Sequence, residues 1–210
     1  MTTLEVHIEQ LSLKGNVLIE ALHFTLKAEK IVTLMGPSGC GKSTILNYIA
    51  GFLASDFKIK GKLLLNGKDL AKVPAHKRDM GLLLQDPLLF PHFNLGQNIR
   101  FAAKDILSDE ALDSALAQIE LKGMAAHDPA LLSGGQKARA ALLRTLVNKP
   151  RALLLDEPFS KLDKSLRARI RTLVFAQSWN LPMLLVTHDD EDAKAAAGEV
   201  INLEEFIVCV

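Results

Sequence analysis

The run Gly36-Pro37-Ser38-Gly39-Cys40-Gly41-Lys42-Ser43 constrains what this chain can fold into more than any other feature. It satisfies the pattern G-x-x-x-x-G-K-[ST], whose glycines let successive backbone N–H groups turn inward on phosphates. The β-rich run Ile31–Met35 precedes it, and a helical stretch from Ser43 to Ala50, closed by Gly51, follows. This is the strand–loop–helix context the pattern requires, and the helix N-terminus adds a favourable dipole for an anion. With the full pattern in place, an ordinary Gly-rich turn is the weaker reading. Lys42 is expected to reach the β- and γ-phosphates of a nucleotide, the Ser43 hydroxyl to coordinate Mg²⁺, and Thr44 to complete the binding loop. Cys40 occupies a variable position of the pattern and needs no redox role.

The surrounding sequence alternates short apolar strands with helical patterns, which predicts an α/β fold with a mostly parallel sheet. Ala152–Leu155 and Met183–Val186 are apolar throughout, as strands buried on both faces are. Each ends in polar residues, where open α/β sheets place their ligands. The N-terminal stretch differs: Leu4, Val6 and Ile8 alternate with polar residues, and Lys60–Leu65 leads to the hairpin-type turn Asn66-Gly67. These predict antiparallel strands flanking the parallel core. Leu112, Ala115, Leu116 and Ile119 recur at helical spacing after Ser108, an expected N-cap. A second helix is expected after Ser133 and before Pro150. A third is expected from Lys164 to Trp179, burying Leu166, Ile170, Leu173 and Val174. No internal repeat or long linker is visible. Residues 1–210 are expected to form one domain, in which about 86–149 make a helical subdomain inserted in the α/β core.

Composition excludes several classes. A hydrophobic content of 49% is enough to fill a core, so disorder is not a live option. Lys+Arg 25 against Asp+Glu 24 leaves a net charge of +1, which supplies no cationic field for nucleic acid. Two cysteines, Cys40 and Cys209, make neither a disulfide framework nor a closed zinc site. The longest apolar run is Phe206–Val210, far short of the roughly 20 residues of a spanning helix. The start, Met1-Thr2-Thr3-Leu4-Glu5, lacks the basic and apolar regions of a secretion signal. The expectation is a soluble intracellular protein.

Asp156 follows the apolar run ending at Leu155 and fits the acidic residue that holds Mg²⁺, directly or through water. Glu157, one residue on, is placed to polarise an attacking water as general base. A solvated acidic pair at a strand end would be the reading if no phosphate loop stood beside it. A phosphate loop leaves many families open, and the run Leu132-Ser133-Gly134-Gly135-Gln136, followed by Lys137-Ala138-Arg139, narrows them. It reproduces the LSGGQ signature, and the chain closely resembles the ABC ATPases over nearly its whole length. The other landmarks fall in the family's order: Gln85 for the Q-loop, Ser160-Lys161-Leu162-Asp163 for the D-loop, and His188 for the switch histidine.

The resemblance implies an ATPase with ATP and Mg²⁺ as its cofactors and a P-loop NTPase core. It implies a second ATPase subunit packed head to tail, a homodimer, so that Ser133, Gly134, Gly135 and Gln136 of one copy close over the γ-phosphate held by the other. Gln85 is implied to sense Mg²⁺ and the attacking water, and His188 to contact the γ-phosphate. The apolar segment Leu88–Phe93 is implied to receive a helix of a transmembrane permease subunit. Leu13 falls where the family usually stacks an aromatic ring on adenine, a departure from the pattern. The sequence most resembles binding-protein-dependent bacterial importers. That implies an extracytoplasmic solute-binding protein as a further partner, and a peripheral location on the cytoplasmic face of the inner (plasma) membrane. The alternative is a soluble, non-transport ABC ATPase of the repair or translation type, but the long coiled-coil insertions or paired cassettes of that class are missing. A small-molecule P-loop kinase has no reason to contain Leu132–Gln136, and a GTPase motif at Asn148-Lys149-Pro150 fails where Arg151 replaces the acid. The histidines other than His188 are expected to form no cluster.

Overall fold

A computed structural model describes residues 2–177 and 180–208. The chain divides into two compact units. The first takes in the residues up to Leu82, Arg151–Asp156 and the stretch from Val174 onward; the second takes in Leu83–Pro150 and Glu157–Leu173.

Two sheets build the first unit. Strands β1 (Thr3–Leu13), β2 (Asn16–Lys27), β4 (Phe57–Leu65) and β5 (Lys68–Asp69) form an antiparallel sheet in the order β2-β1-β4-β5. The alternation seen in sequence has its expected result, since Leu4, Val6, Ile8 and Leu11 are all fully buried. Asn66 and Gly67 both take positive φ, as a tight hairpin turn needs. Gly61 is required for a different reason: a Cβ there would lie 1.9 Å from the His7 carbonyl oxygen on the neighbouring strand. His7 and His23 face each other across the β1–β2 ladder with ring centroids 5.3 Å apart. No group of metal-binding size forms among the described residues.

The second sheet runs β6 (Met80–Leu83), β7 (Ala152–Asp156), β8 (Met183–Val186), β3 (Ile31–Met35), β9 (Glu199–Asn202), and its β7–β8, β8–β3 and β3–β9 pairs are parallel. One apolar cluster joins it to the antiparallel sheet and to α1 (Lys42–Ala50), through Val32, Leu34, Leu154 and Leu184, then Leu22 and Leu63, then Ile45 and Ile49. The C-terminal carbonyls of α1 are held by the buried Arg78, which donates to Tyr48 O at 2.7 Å and Ile49 O at 3.0 Å. Helix α2 (Ala75–Arg78) carries that arginine, and α7 (Asp190–Ala196) follows β8.

The second unit is helical. Helices α3 (Leu95–Ala102), α4 (Asp109–Gln118) and α5 (Gly134–Val147) pack on one another, burying Ile99, Leu112, Leu116, Ala140 and Leu143. Ser108 caps α4 as expected, accepting from Ala111 N at 3.2 Å. Arg139, 8% exposed, donates from Nη1 to Ile119 O at 2.7 Å and so ties α5 to the C-terminal end of α4. Helix α6 (Lys164–Ala176) starts where expected and buries Leu166, Ile170 and Val174, but Leu173 is only half-buried. The expected end at Trp179, like Cys209, lies outside the described residues. No helix among the described residues is long and apolar enough to cross a membrane.

Candidate nucleotide site

In the first unit, the parallel register brings three expected site residues to one sheet edge. Leu34 pairs with Val186 and Asp156 pairs with Val186 across neighbouring parallel strands. The loop after β3, the end of β7 and His188 after β8 therefore open at the same carboxyl edge. The phosphate loop Gly36–Ser43 leads into α1, and Gly41 at its N-cap takes φ +104°, a conformation that favours glycine. Lys42 Nζ donates to Gly36 O at 2.7 Å and Pro37 O at 2.6 Å, which holds the ammonium over the loop. Pro37, Ser38 and Gly39 are exposed.

The Ser43 hydroxyl donates to Asp156 Oδ2 at 2.7 Å, joining positions far apart in the chain. Burial pushes the Asp156 carboxyl above its usual range, opposed by the Ser43 hydrogen bond and the Lys42 ammonium. An oxygen pair of one hydroxyl and one carboxylate is the hard donor chemistry that Mg²⁺ takes, usually with several waters retained. The residues present fit that ion. His188 is exposed, and the next residue, Asp189, caps α7 by accepting from Glu191 N at 2.8 Å and Asp192 N at 3.3 Å.

Leu13 ends β1 half-buried and lines a cleft of about 450 Å³ together with Leu18, Phe57, Ile207, Val208 and the phosphate loop. Ile207 bridges to Ile19, and Val208 N donates to Leu18 O at 3.1 Å, so the C-terminal segment adds to the edge of β2. Sequence reasoning missed Phe57 and this segment. Their only signal was the strand register, which a single apolar residue ahead of a Lys-rich hairpin does not reveal.

In the second unit, Gln85 and Glu157 line one small cavity of about 10 Å³, with Ala138, Ser160 and Lys161. That is the room of a single water molecule. Glu157 has φ +49°, which turns the chain sharply out of β7, and the Ser160 hydroxyl donates to Glu157 O at 2.9 Å. Asp163 accepts from Leu166 N at 3.0 Å and from the Ser165 hydroxyl at 2.9 Å, bonds that hold its carboxyl below the usual range. The signature opens α5 with a reciprocal cap: Gln136 N donates to Ser133 Oγ at 3.2 Å, and Ser133 N donates to Gln136 Oε1 at 2.8 Å. Gly134 is exposed with open space where a Cβ would stand, whereas a Cβ on Gly135 would lie 3.1 Å from Lys161 O. The expected permease segment is split. Leu88 is 58% exposed and lines a cleft of about 320 Å³ with Leu89 and Pro91, while Phe90, His92 and Phe93 join Phe101 in a ring cluster. Phe101, 66% exposed, was not singled out from sequence.

These motifs agree with comparisons to known proteins. The ABC transporter family matches residues 19–160. The chain is 45% identical over 202 residues to the uncharacterized ABC transporter ATP-binding protein YnjD of Escherichia coli (strain K12), covering 93% of each. It is 39% identical to the Fe(3+) ions import ATP-binding protein FbpC 2 of Pectobacterium atrosepticum, over 96% of this chain and 60% of that protein. It is 38% identical to the spermidine/putrescine import ATP-binding protein PotA of Spiroplasma citri, over 91% and 56%. The chain therefore spans little more than half the length of these two import proteins. Among solved structures, the dimeric post-hydrolysis state of the ATP-binding cassette MJ0796, bound to ADP and Pi, is similar with a TM-score of 0.79 and 27% identity, over 97% of this chain and 94% of that one. With a phosphate loop, a capped signature helix and a family match across most of its length, the chain belongs to the ABC transporter ATP-binding family.

Proposed function

We propose that this protein is the ATP-binding and ATP-hydrolysing subunit of an ABC transporter that energises solute import through separate membrane subunits. Residues 1–210 act as a single ABC ATPase domain, with the segment of about 86–149 as its helical subdomain. The observation that carries the reading is the coexistence of two anion-suited helix N-termini with different equipment. One, at α1, has Lys42, Ser43 and Asp156 to hold a nucleotide and a metal. The other, at α5, has a Ser–Gln cap, two glycines and Lys137 but no carboxylate within Ser133–Arg139 to hold a metal, so it suits a phosphate brought by another subunit.

In this reading the loop Gly36–Thr44 binds the triphosphate, with Lys42 as its main cationic partner. Ser43, Asp156 and Gln85 would hold Mg²⁺, which supplies charge neutralisation at the phosphates. Glu157 is the general base, supported by its place with Gln85 around a water-sized cavity. His188 contacts the γ-phosphate from the same sheet edge as the loop. Ser133–Gln136 serve the partner copy of a head-to-tail homodimer, which agrees with the dimeric cassette of similar fold. A permease docks near Leu88–Phe93, supported by the exposed Leu88 and its apolar cleft. The import direction is supported by the relatives named for import, and a solute-binding protein and a peripheral site on the cytoplasmic face of the membrane belong to that reading. The soluble repair or translation alternative has no such support.

Glu157→Gln tests the assignment, because it keeps the shape of the side chain and removes the base. The variant is expected to bind ATP like wild type, to turn over at least about 100-fold more slowly, and to sediment as a dimer with ATP present. Hydrolysis at the wild-type rate would show that Glu157 is not the base.

A further inference from the structure

The position expected to face the nucleotide base carries Leu13, which has no ring, yet the cleft beside the phosphate loop contains one. Phe57 opens β4 and is the register partner of Leu13 across the β1–β4 ladder. Residues directly opposite in an antiparallel pair project from the same face of the sheet. Both accordingly line the same cleft of about 450 Å³, with Leu18, Ile207 and Val208. Phe57 is half-buried, and among the described residues it is the sole aromatic side chain lining this cleft. Its backbone is fixed on both sides: Phe57 N donates to Ala54 O at 3.0 Å, and Lys14 N donates to Asp56 O at 3.1 Å. These bonds tie the start of β4 to the turn that follows Leu13.

We propose that Phe57 supplies the aromatic face on which the base of the bound nucleotide stacks, a base-binding role transferred one strand over from Leu13. The proposal rests on the nucleotide-binding reading of the phosphate loop. Leu13, Leu18 and the Ile207–Val208 segment complete an apolar wall around the ring. Such a wall reads the face of a base rather than its edge. Stacking on an aromatic ring tolerates any base, so adenine and guanine nucleotides are held alike, while a ligand without a base gains nothing from it.

The test compares ATP with inorganic tripolyphosphate, which keeps the phosphate contacts and lacks the base. Equilibrium affinities of both are measured for wild type, Phe57→Leu and Phe57→Tyr. Phe57→Leu is expected to weaken ATP by about tenfold, within the range that loss of one base–aromatic stack produces in single-strand binders. Its tripolyphosphate affinity should stay unchanged, and Phe57→Tyr should keep the affinity for ATP. Unchanged ATP affinity in Phe57→Leu overturns the proposal. So does an equal loss for ATP and tripolyphosphate, which would assign Phe57 a purely structural part. A wild-type protein that binds neither ligand would instead remove the nucleotide-binding reading beneath it.

Discussion

Ser43 and Asp156 meet at 2.7 Å only because β3 and β7, on either side of β8 in the parallel sheet, deliver them to one edge. A buried carboxylate needs a donor, and the Ser43 hydroxyl meets that need for Asp156, with the Lys42 ammonium adding a favourable charge. Thr33 shows the opposite case. It lies fully buried in β3, and its hydroxyl finds no hydrogen-bond partner among the described residues. A buried hydroxyl left unsatisfied costs about 1–3 kcal/mol, whereas a methyl of similar shape costs nothing in hydrogen bonding. Thr33→Val is therefore expected to stabilise the protein by about 1 kcal/mol, read in urea as a higher midpoint at unchanged slope. A lower midpoint would reveal a partner for the hydroxyl.

At the scale of elements, a single buried side chain organises the segment assigned to the permease. Asn98, fully buried in α3, accepts from Phe90 N at 2.8 Å and donates to the carbonyls of Phe90, Phe93 and Asn94, each at 3.1 Å. Arg144 of α5 adds bonds to Leu88 O at 2.9 Å and Pro87 O at 3.0 Å, and its guanidinium stands over the Phe90 ring. The loop is thus apolar in side chains but held through its backbone, as an irregular segment with few polar side chains must be. Asn98→Ala removes the acceptor for Phe90 N and the side-chain donor to Phe93 O, while Phe90 O and Asn94 O keep backbone bonds from Phe93 N and residue 98 N. A loss of about 2–4 kcal/mol in chemical denaturation is expected, with faster amide hydrogen exchange at Phe90. Exchange at Phe90 like that of wild type would show that Arg144 alone suffices.

At the scale of the whole molecule, the proposed composite site makes a prediction that no single-chain enzyme would meet. Ser133→Arg puts a bulky cation on the capped N-terminus of α5, and Lys42→Ala removes the ammonium from the phosphate loop. Each homodimer is expected to be nearly inactive. Mixed, the two variants should recover activity, because a heterodimer contains one site with an intact loop and an intact signature. The check is ATPase rate against mixing ratio, with a maximum near equal amounts. No recovery at any ratio would count against signatures that work in the opposite subunit.

The motifs and most of the elements that carry them were legible in the sequence, because each rests on local chemistry. The G-x-x-x-x-G-K-S run dictates a turn and a helix start, Ser108 and Ser133 announce helices by their side-chain oxygens, and β1 alternates because one of its faces is buried. The order of landmarks from Gln85 to His188 was enough to identify the family. What tertiary structure decided were encounters between distant segments. Phe57 and the Ile207–Val208 segment came to Leu13 through strand register and an edge pairing, neither of which leaves a periodic trace. The unpaired Thr33 hydroxyl and the Asn98 hub were likewise invisible, since a polar residue's partners are set by what packs around it. Local rules name the parts along a chain, and only packing determines which parts share a cavity.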